Sequence, residues 1–450
     1  MILNHRIADH FSNLAGGYSG TLNDTMKAGL VADGYSGTVN DMLQAYLRDI
    51  GYGPVLSSSF KKFTDFLAAT DYDDVVAYYR MTETGKPVKG TGSVTVTRAS
   101  SATGGDGITE DLVAVGNNTA RYRSGKMLVE ETRVNQVTYA TPTAAQWSDS
   151  STGVAAYSQS VETCKGRTGT AAKVTIGDVS GGLSGINFPA FAAADSAAGT
   201  ASLYVRAGNC AGKVLDLLVL DFTATSPKGD AQITLTDEPQ RVTVTTSALT
   251  AGNIMIIVAG YANLLGGAST LEDGDYFYVD VGQFETGESA TSPILTSGAA
   301  ATRLMDVPTI DVANMPAYSA DYSIAMTLYA YDGSSNGHGL YSIDGETTRR
   351  AIIDGSDHKL YTVHPNATAS TNVMPHSQPL RIVTSVDVDV NVNTYVNGVL
   401  ESTTAAAAFS GTATAFYVGT YLGGTQSAHG LIGDLKTYSK ALSATEALYA

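Results

Sequence analysis

Along most of the chain, apolar and polar residues alternate with a period of two, the signature of half-buried strands. Ser93-Val94-Thr95-Val96-Thr97 alternates strictly, and so do Val386 to Asn393 and Leu431 to Tyr438. Further strands are predicted over Ala171–Ile176, Ala201–Arg206, Val214–Phe222, Arg241–Thr246, Asn253–Ala259 and Tyr276–Phe284, then over Tyr322–Tyr329, Arg381–Val399 and Ala415–Gly419. Turn signals punctuate them at Gly208-Asn209, Lys228-Gly229-Asp230, Asp273-Gly274 and Asn397-Gly398. Helical spacing is clear only near the start, where Met42, Leu43, Tyr46, Leu47 and Ile50 share one face. The pattern predicts a mainly β protein: a small N-terminal helical repeat module followed by two antiparallel β-sandwich (jelly-roll) domains.

The helical module opens with an internal repeat. Gly17-Tyr-Ser-Gly-Thr-Leu-Asn-Asp24 recurs as Gly34-Tyr-Ser-Gly-Thr-Val-Asn-Asp41, and Gly51-Tyr52-Gly53 begins a decayed third copy. Thr21 with Asp24, and Thr38 with Asp41, have capping-box spacing, with Asp shorter than the usual Glu. Each helix is too short to be stable alone. The module is therefore either a local helical cap or an anchor that docks into a larger assembly through Tyr18, Leu22, Tyr35, Val39, Met42, Leu43, Tyr46 and Leu47. The resulting division is residues 1–90 helical anchor, 91–138 β connector, 139–303 first sandwich, 304–319 linker carrying Pro308 and Pro316, and 320–450 second sandwich.

Composition narrows the partners. A formal net charge of −16 repels phosphate backbones, so nucleic-acid binding is not expected. The N-terminus has no apolar signal segment and no apolar run approaches the roughly 20 residues of a membrane span, so synthesis in the cytoplasm without membrane insertion is expected. Cys164 and Cys210 are too few for a disulfide framework. They read as ordinary buried thiols, with one bridge open as the alternative.

Three groups of motifs resemble known families. Gly430-Leu-Ile-Gly-Asp-Leu-Lys-Thr-Tyr-Ser-Lys-Ala-Leu-Ser-Ala-Thr-Glu446 is similar to the closing strand of laminin-G/concanavalin-A-like jelly rolls. Tyr395-Val-Asn-Gly-Val399 and Ala415-Phe-Tyr-Val-Gly419 resemble two further strands of that family. The Gly-Tyr-Ser-Gly-Thr repeats resemble N-terminal repeats of tailed-bacteriophage structural proteins. Arg98-Ala-Ser-Ser-Ala-Thr103, Asn118-Thr-Ala-Arg-Tyr122 and Met127-Leu-Val-Glu-Glu-Thr-Arg-Val-Asn135 follow the order of a phage pattern, with Ala120 in place of Pro and Val134 in place of Thr. Ser202–Gly208 and Asp280–Arg303 resemble the internal and exit strands of carbohydrate-binding-like sandwiches. These resemblances imply a virion protein that adheres to host surface glycan as a tail fibre or receptor-binding appendage, commonly trimeric and held by other phage structural proteins. A head fibre or capsid decoration protein is the alternative, and a glycan hydrolase the third.

Candidate chemistry is sparse. No nucleophile elbow, phosphate loop or metal motif occurs, so no enzyme activity is expected. Asp387, Asp389, Asn391 and Asn393 form the polar side of an alternating strand, either a ligand-facing surface or simply a solvated one. Residues two apart on a strand lie roughly 7 Å apart, too far to chelate one ion unaided. Asp273, Asp275 and Asp280, near Glu272, could hold Ca²⁺, the one cofactor considered, although their spacing is not that of a calcium loop. Trp147, the only tryptophan, could stack on a sugar or pack at a domain entrance. His338, His358, His364, His376 and His429 lack ligand spacing and read as loop residues.

Overall fold

The computed structural model describes residues 74–81, 86–141, 143, 148–149, 154–155, 159–177, 184–193, 198–221, 226–249, 252–260, 269–330, 337–343, 349–363, 367–375, 378–388, 390–406, 412–421, 426–448 and 450. The repeats and their anchoring positions Tyr18, Leu22, Tyr35, Val39, Met42, Leu43, Tyr46 and Leu47 lie outside these residues, as do Trp147 and Asp389. Every named strand pairs antiparallel, and among the described residues the single α-helix is Ala444–Ala447. No helix among them is long and apolar enough to cross a membrane.

The C-terminal sandwich is built from both ends of the described chain. Its first sheet runs Pro87–Lys89, Val75–Arg80, Gly430–Tyr438, Tyr322–Ala330, Pro379–Asp387, Asn391–Val396, Val399–Ala405. Gly430–Tyr438 is central to it. On one side it pairs with Tyr322–Ala330. On the other it pairs with Val75–Arg80 along Asp434 to Tyr438 and with Lys126–Val129 along Gly430 to Ile432. The second sheet runs Ala367–Val373, Lys359–Val363, Arg350–Ile353, His338–Ile343, Ala415–Val418, Val307–Asp311, Thr95–Thr97. Tyr79, Met127, Val96 and Ile310 share one core with Ile324, Leu340, Phe416 and Ile432.

Two stretches differ from the sequence expectation. Residues 75–80 and 87–89, grouped with the helical module, are strands. Val75, Ala77 and Tyr79 are buried while Val76, Tyr78 and Arg80 are half-buried, the period of two that a sheet imposes. Residues 304–319, suggestive of a linker, supply the strand Val307–Asp311 and the 3₁₀ turn Val312–Asn314. Pro308 is tolerated because pairing with Ala415–Val418 begins one residue later, at Thr309.

The other sandwich is an insertion. The chain leaves the C-terminal sandwich through Arg133–Asn135 and returns through Ala301–Arg303, and these two segments pair with each other. Between them lie a five-stranded sheet (Val154–Ala155, Ala172–Thr175, Tyr276–Thr286, Gly199–Ala207, Gln240–Thr245) and a six-stranded sheet centred on Val214–Asp221 and Gly252–Gly260. The core of the insertion is separate, with Leu203, Leu217, Ile256 and Phe277 at its centre.

Glycine and turn chemistry account for local departures. Lys228-Gly229-Asp230 is no turn: it lies inside the strand Ser226–Thr234. A side chain at Gly229 would meet Thr245 O and Val244 Cγ1 at 2.9 Å, so the glycine serves close approach of the facing strand. Asn397-Gly398 does form a two-residue hairpin, with φ of 50° and 81°, both positive as a type I′ turn requires. The span Arg381–Val399 holds two strands, Pro379–Asp387 and Asn391–Val396, and the Val390 N–H between them donates to Asp387 O at 3.1 Å.

Candidate functional site

The outward side of the nine-stranded sheet is occupied by the end of the chain itself. Ser323 and Ser385 hydroxyls donate to the carbonyls of Lys440 and Leu442 at 2.8 and 2.9 Å. Leu442, Ala447 and Ala450 pack on Ala325, Val383, Tyr395 and Tyr438. Ser443 and Glu446 cap the short helix reciprocally and hold this cover in place.

The outward side of the seven-stranded sheet carries the polar and aromatic groups. Residues directly opposite in a ladder share a face. Arg350, Ser342, Tyr417, Thr309 and Thr95 therefore form one row across the sheet. Gly339, Ile352, Tyr361 and Ala369 form the neighbouring row. A side chain at Gly339 would lie 2.8 Å from Gln426 O, so its absence lets the hairpin of Thr420–Tyr421 and Gln426–Ser427 stand directly on the sheet. The Ser342 hydroxyl fixes it by donating to Thr420 O at 3.2 Å.

Two polar–aromatic pairs stand on this side of the sheet. In one, the Arg350 guanidinium lies 4.4 Å from the Tyr421 ring centroid and donates through Nη1 to its hydroxyl at 2.6 Å. In the other, further along the strands, Tyr361 beside Ile352 donates to Asp357 Oδ2 at 2.8 Å. The hydrogen bond to Asp357, then burial, raises the Tyr361 phenol. The loop that carries Asp357 is tied down: Ser356 N donates to Asp354 Oδ1 at 2.8 Å, and His358 sits at φ 54°. The Ser356 hydroxyl, then the Ser356 N–H, lowers the Asp354 carboxyl by hydrogen bonding to it. Aromatic rings, a guanidinium and a carboxylate, all half-exposed, suit a ligand with apolar C–H faces and many hydroxyls.

The polar strand residues are placed differently. Asp387 and Asn391 face each other directly across the hairpin, and Asn393 faces Ser385, with the Thr403 hydroxyl donating to Asn393 Oδ1 at 2.8 Å. The alternation survives the turn because paired residues share parity: Val386 and Val392 are in the core, while Val390 at the turn is exposed. Asp273, Asp275 and Asp280 do not converge. Asp275 accepts from Lys213 Nζ at 2.8 Å and from Glu272 N at 2.7 Å, while Asp273 is exposed at the turn. Asp280 accepts from the hydroxyls of Thr141 and Thr170 at 2.8 and 2.7 Å, and from Val281 N at 2.9 Å. Each buried carboxylate thus has its own protein donors, and no group of three or more metal-ligating side chains occurs among the described residues.

Cys164 and Cys210 are buried and unbridged, and burial pushes the Cys164 thiol up to about 12. His338 opens the strand His338–Ile343 rather than lying in a loop, whereas His429 does lie in a connection, between Ser427 and Gly430. Both are fully buried, their rings 6.2 Å apart. Tyr361, Tyr421, Arg350 and Asp357 lie in no motif noted in the sequence. Their only signal was the abundance of tyrosine, 25 residues against one tryptophan.

Residues 313–447 match a family model described as the concanavalin A-like lectin/glucanases superfamily. The C-terminal sandwich is accordingly a laminin-G/concanavalin A-like domain. No curated protein matches the chain. Partial likenesses to solved structures include a Trypanosoma rangeli sialidase in complex with 2,3-difluorosialic acid (13% identity, 32% of this chain, 25% of that chain, TM-score 0.26). Another is the receptor binding domain of botulinum neurotoxin mosaic serotype C/D (11%, 32%, 38%, TM-score 0.25). A third is domain 4 of AbnA, an extracellular arabinanase from Geobacillus stearothermophilus, in complex with arabinotriose (20%, 36%, 80%, TM-score 0.26). The chain thus spans a quarter of the sialidase and less than two fifths of the neurotoxin domain.

Proposed function

We propose that the protein is a non-enzymatic adhesin of a phage particle, a tail fibre or receptor-binding appendage that recognises host surface glycan through the C-terminal sandwich. The observation that carries this reading is the two polar–aromatic pairs, Arg350 with Tyr421 and Tyr361 with Asp357, on the outward side of the seven-stranded sheet of a concanavalin A-like domain. One sugar ring lays its C–H face on the Tyr361 ring and donates to Asp357, and Arg350 donates to hydroxyls further along the same glycan. The virion assignment draws on the phage-like motifs, with the N-terminal repeats as the attachment to other structural proteins and trimerisation as the expected assembly.

Glycan-array binding of the full chain tests this. Arg350→Ala and Tyr361→Ala each weaken binding to the recognised glycan by about tenfold or more, equivalent to about 1.4 kcal/mol for one charged hydrogen bond or one stacked ring. Asn391→Ala, on the opposite sheet, leaves it unchanged. Loss of binding in Asn391→Ala with none in the other two would move the site to the hairpin at 388–390. Absence of binding to any glycan, with antibody label over the capsid, would replace adhesion with decoration.

A further inference from the structure

We propose that a buried polar network welds the inserted sandwich to the C-terminal sandwich, so that the two form one stiff arm rather than tethered modules. Among the described residues the backbone crosses between them at two segments, Arg133–Asn135 and Ala301–Arg303, and a two-stranded ribbon of three residues each is easily twisted. Side chains remove that freedom at three separate places.

The first is the network itself. Arg98, Arg121, Glu130, Glu285, Arg303 and Asp306 are at most 1% exposed, three cations against three carboxylates. Asp306 pairs with Arg98 at 2.5 Å and with Arg121, and it accepts from Glu130 N at 3.1 Å. Glu130 Oε2 takes Arg121 at 2.8 Å and Arg303 at 3.1 Å. The insertion enters through Ser292. Its N–H and hydroxyl donate to Glu130 at 2.7 and 2.6 Å, and its oxygen accepts from Arg121 and Arg303 at 2.6 and 3.1 Å. Glu285, on the long insertion strand, accepts from Thr291 N at 2.8 Å, and the Thr291 hydroxyl accepts from Arg303 at 2.9 Å. Asn135 completes the crossing by donating to Gly282 O and Ile294 O and accepting from the N–H groups of Val137 and Phe284. Such a network is satisfied in one geometry only, since each displaced member leaves a buried charge unpaired.

The second place is the loop at residues 105–112, which lies on the outward face of the five-stranded sheet of the insertion. Tyr204 donates to Asp106 O at 2.6 Å, Lys165 N to Gly107 O at 2.8 Å and Leu112 N to Lys165 O at 2.8 Å. Leu112 packs with Cys164, Tyr204 and Val281. A side chain at Gly107 would sit 2.6 Å from the Cys164 sulfur, so the loop has no room to lift and resettle. The third is the contact of His429 Nε2 with the Ser289 hydroxyl at 2.8 Å.

The motif residues Arg98, Arg121, Glu130 and Asn135 thus have a mechanical role, with Glu285, Ser292 and Arg303 as their counterparts. Calorimetry, small-angle scattering and tryptic cleavage of the full chain test it. The wild type gives one cooperative transition, scattering fitted by a single rigid shape, and slow cleavage after Arg133 and Arg303. Ser292→Ala combined with Tyr204→Phe removes contacts at two places without stranding a lone charge. It raises cleavage at the crossing by about tenfold or more, as expected when a contact near 1.4 kcal/mol is lost from a locally opening region, and broadens the scattering envelope. Two separate transitions in the wild type, or wild-type cleavage and scattering in the double variant, would overturn the weld. Since the wild-type measurement decides by itself, a double variant that fails to fold does not rescue the idea.

Discussion

Glu130→Ala is expected to lower the unfolding free energy by on the order of 3–5 kcal/mol, the cost of stranding buried opposite charge. The carboxylate accepts three hydrogen bonds, from Arg121 and from the Ser292 N–H and hydroxyl, and forms an ion pair with Arg303, at distances between 2.6 and 3.1 Å. Burial alone would raise its pKa. Arg303 and Arg121 outweigh burial and hold it well below the usual carboxylate range. Removing it leaves two guanidinium groups without their shared counter-ion in a site that water does not reach. Glu130→Gln keeps the volume and part of the hydrogen bonding but not the charge, so it falls between wild type and alanine. Denaturant unfolding with a common m-value checks the order. A loss below about 1 kcal/mol for alanine, the range of exposed ion pairs, would mean that solvent enters the junction and that its charges are screened.

Strand periodicity made most of the sheets legible. Tyr322–Ala330, Gly430–Tyr438 and the long strands of the insertion fall within a few residues of the apolar alternation that predicts them. What alternation cannot carry is pairing between distant segments. Val75–Arg80 pairs with Gly430–Tyr438 across some 350 residues, and Thr95–Thr97 with Val307–Asp311 across more than 200. A period of two says only that a strand exists and which side is apolar. The nesting of one sandwich inside the other was therefore invisible, although the entry and exit motifs flank it. Those motifs were legible as separate signposts, and their common purpose shows only once Glu130, Ser292 and Arg303 meet.

The candidate site was harder to read for a related reason. Asp387, Asn391 and Asn393 stood out because they are adjacent in sequence, yet the tail at 440–450 covers much of that sheet face. Arg350, Tyr361 and Tyr421 come from three segments with no shared spacing. Arg350 and Tyr421 meet because Gly339 gives a hairpin room to stand on the sheet, a consequence of packing that no local pattern announces. Asp275 and Asp280 illustrate the converse. An acidic cluster in sequence becomes two separately satisfied carboxylates once the strand Tyr276–Thr286 sends them to different partners.

The second large effect is on stability as pH falls. His429 is fully buried at the junction, and burial, against the weaker pull of Glu130, pushes its imidazole down to about 3, with His338, Arg133 and Arg303 acting in the same direction as burial. The groups around it are Glu130, Glu131 with Oε1 3.8 Å from Nδ1, Arg133, Arg303 and His338, besides the Ser289 hydroxyl. The folded pKa is below the unfolded value of 6.5, so the fold favours the neutral ring. Above pH 6.5 both states are neutral and nothing is lost. Between 6.5 and about 3 the unfolded chain binds a proton that the folded chain refuses, so stability falls by about 1.4 kcal/mol per pH unit. Glu130 adds its own loss only below its unfolded value of 4.5, as acid begins to protonate the unfolded carboxylate. The window from pH 6.5 to 5 therefore separates the contribution of His429 from that of Glu130, with an expected loss from His429 of about 2 kcal/mol. His429→Asn suits the positive φ of 43° and keeps a hydrogen-bonding group near Ser289. Denaturant titrations at pH 7 and pH 5 should show the wild type losing stability and His429→Asn losing less by that amount. Equal losses in both would place the acid sensitivity elsewhere and leave His429 as a neutral packing group.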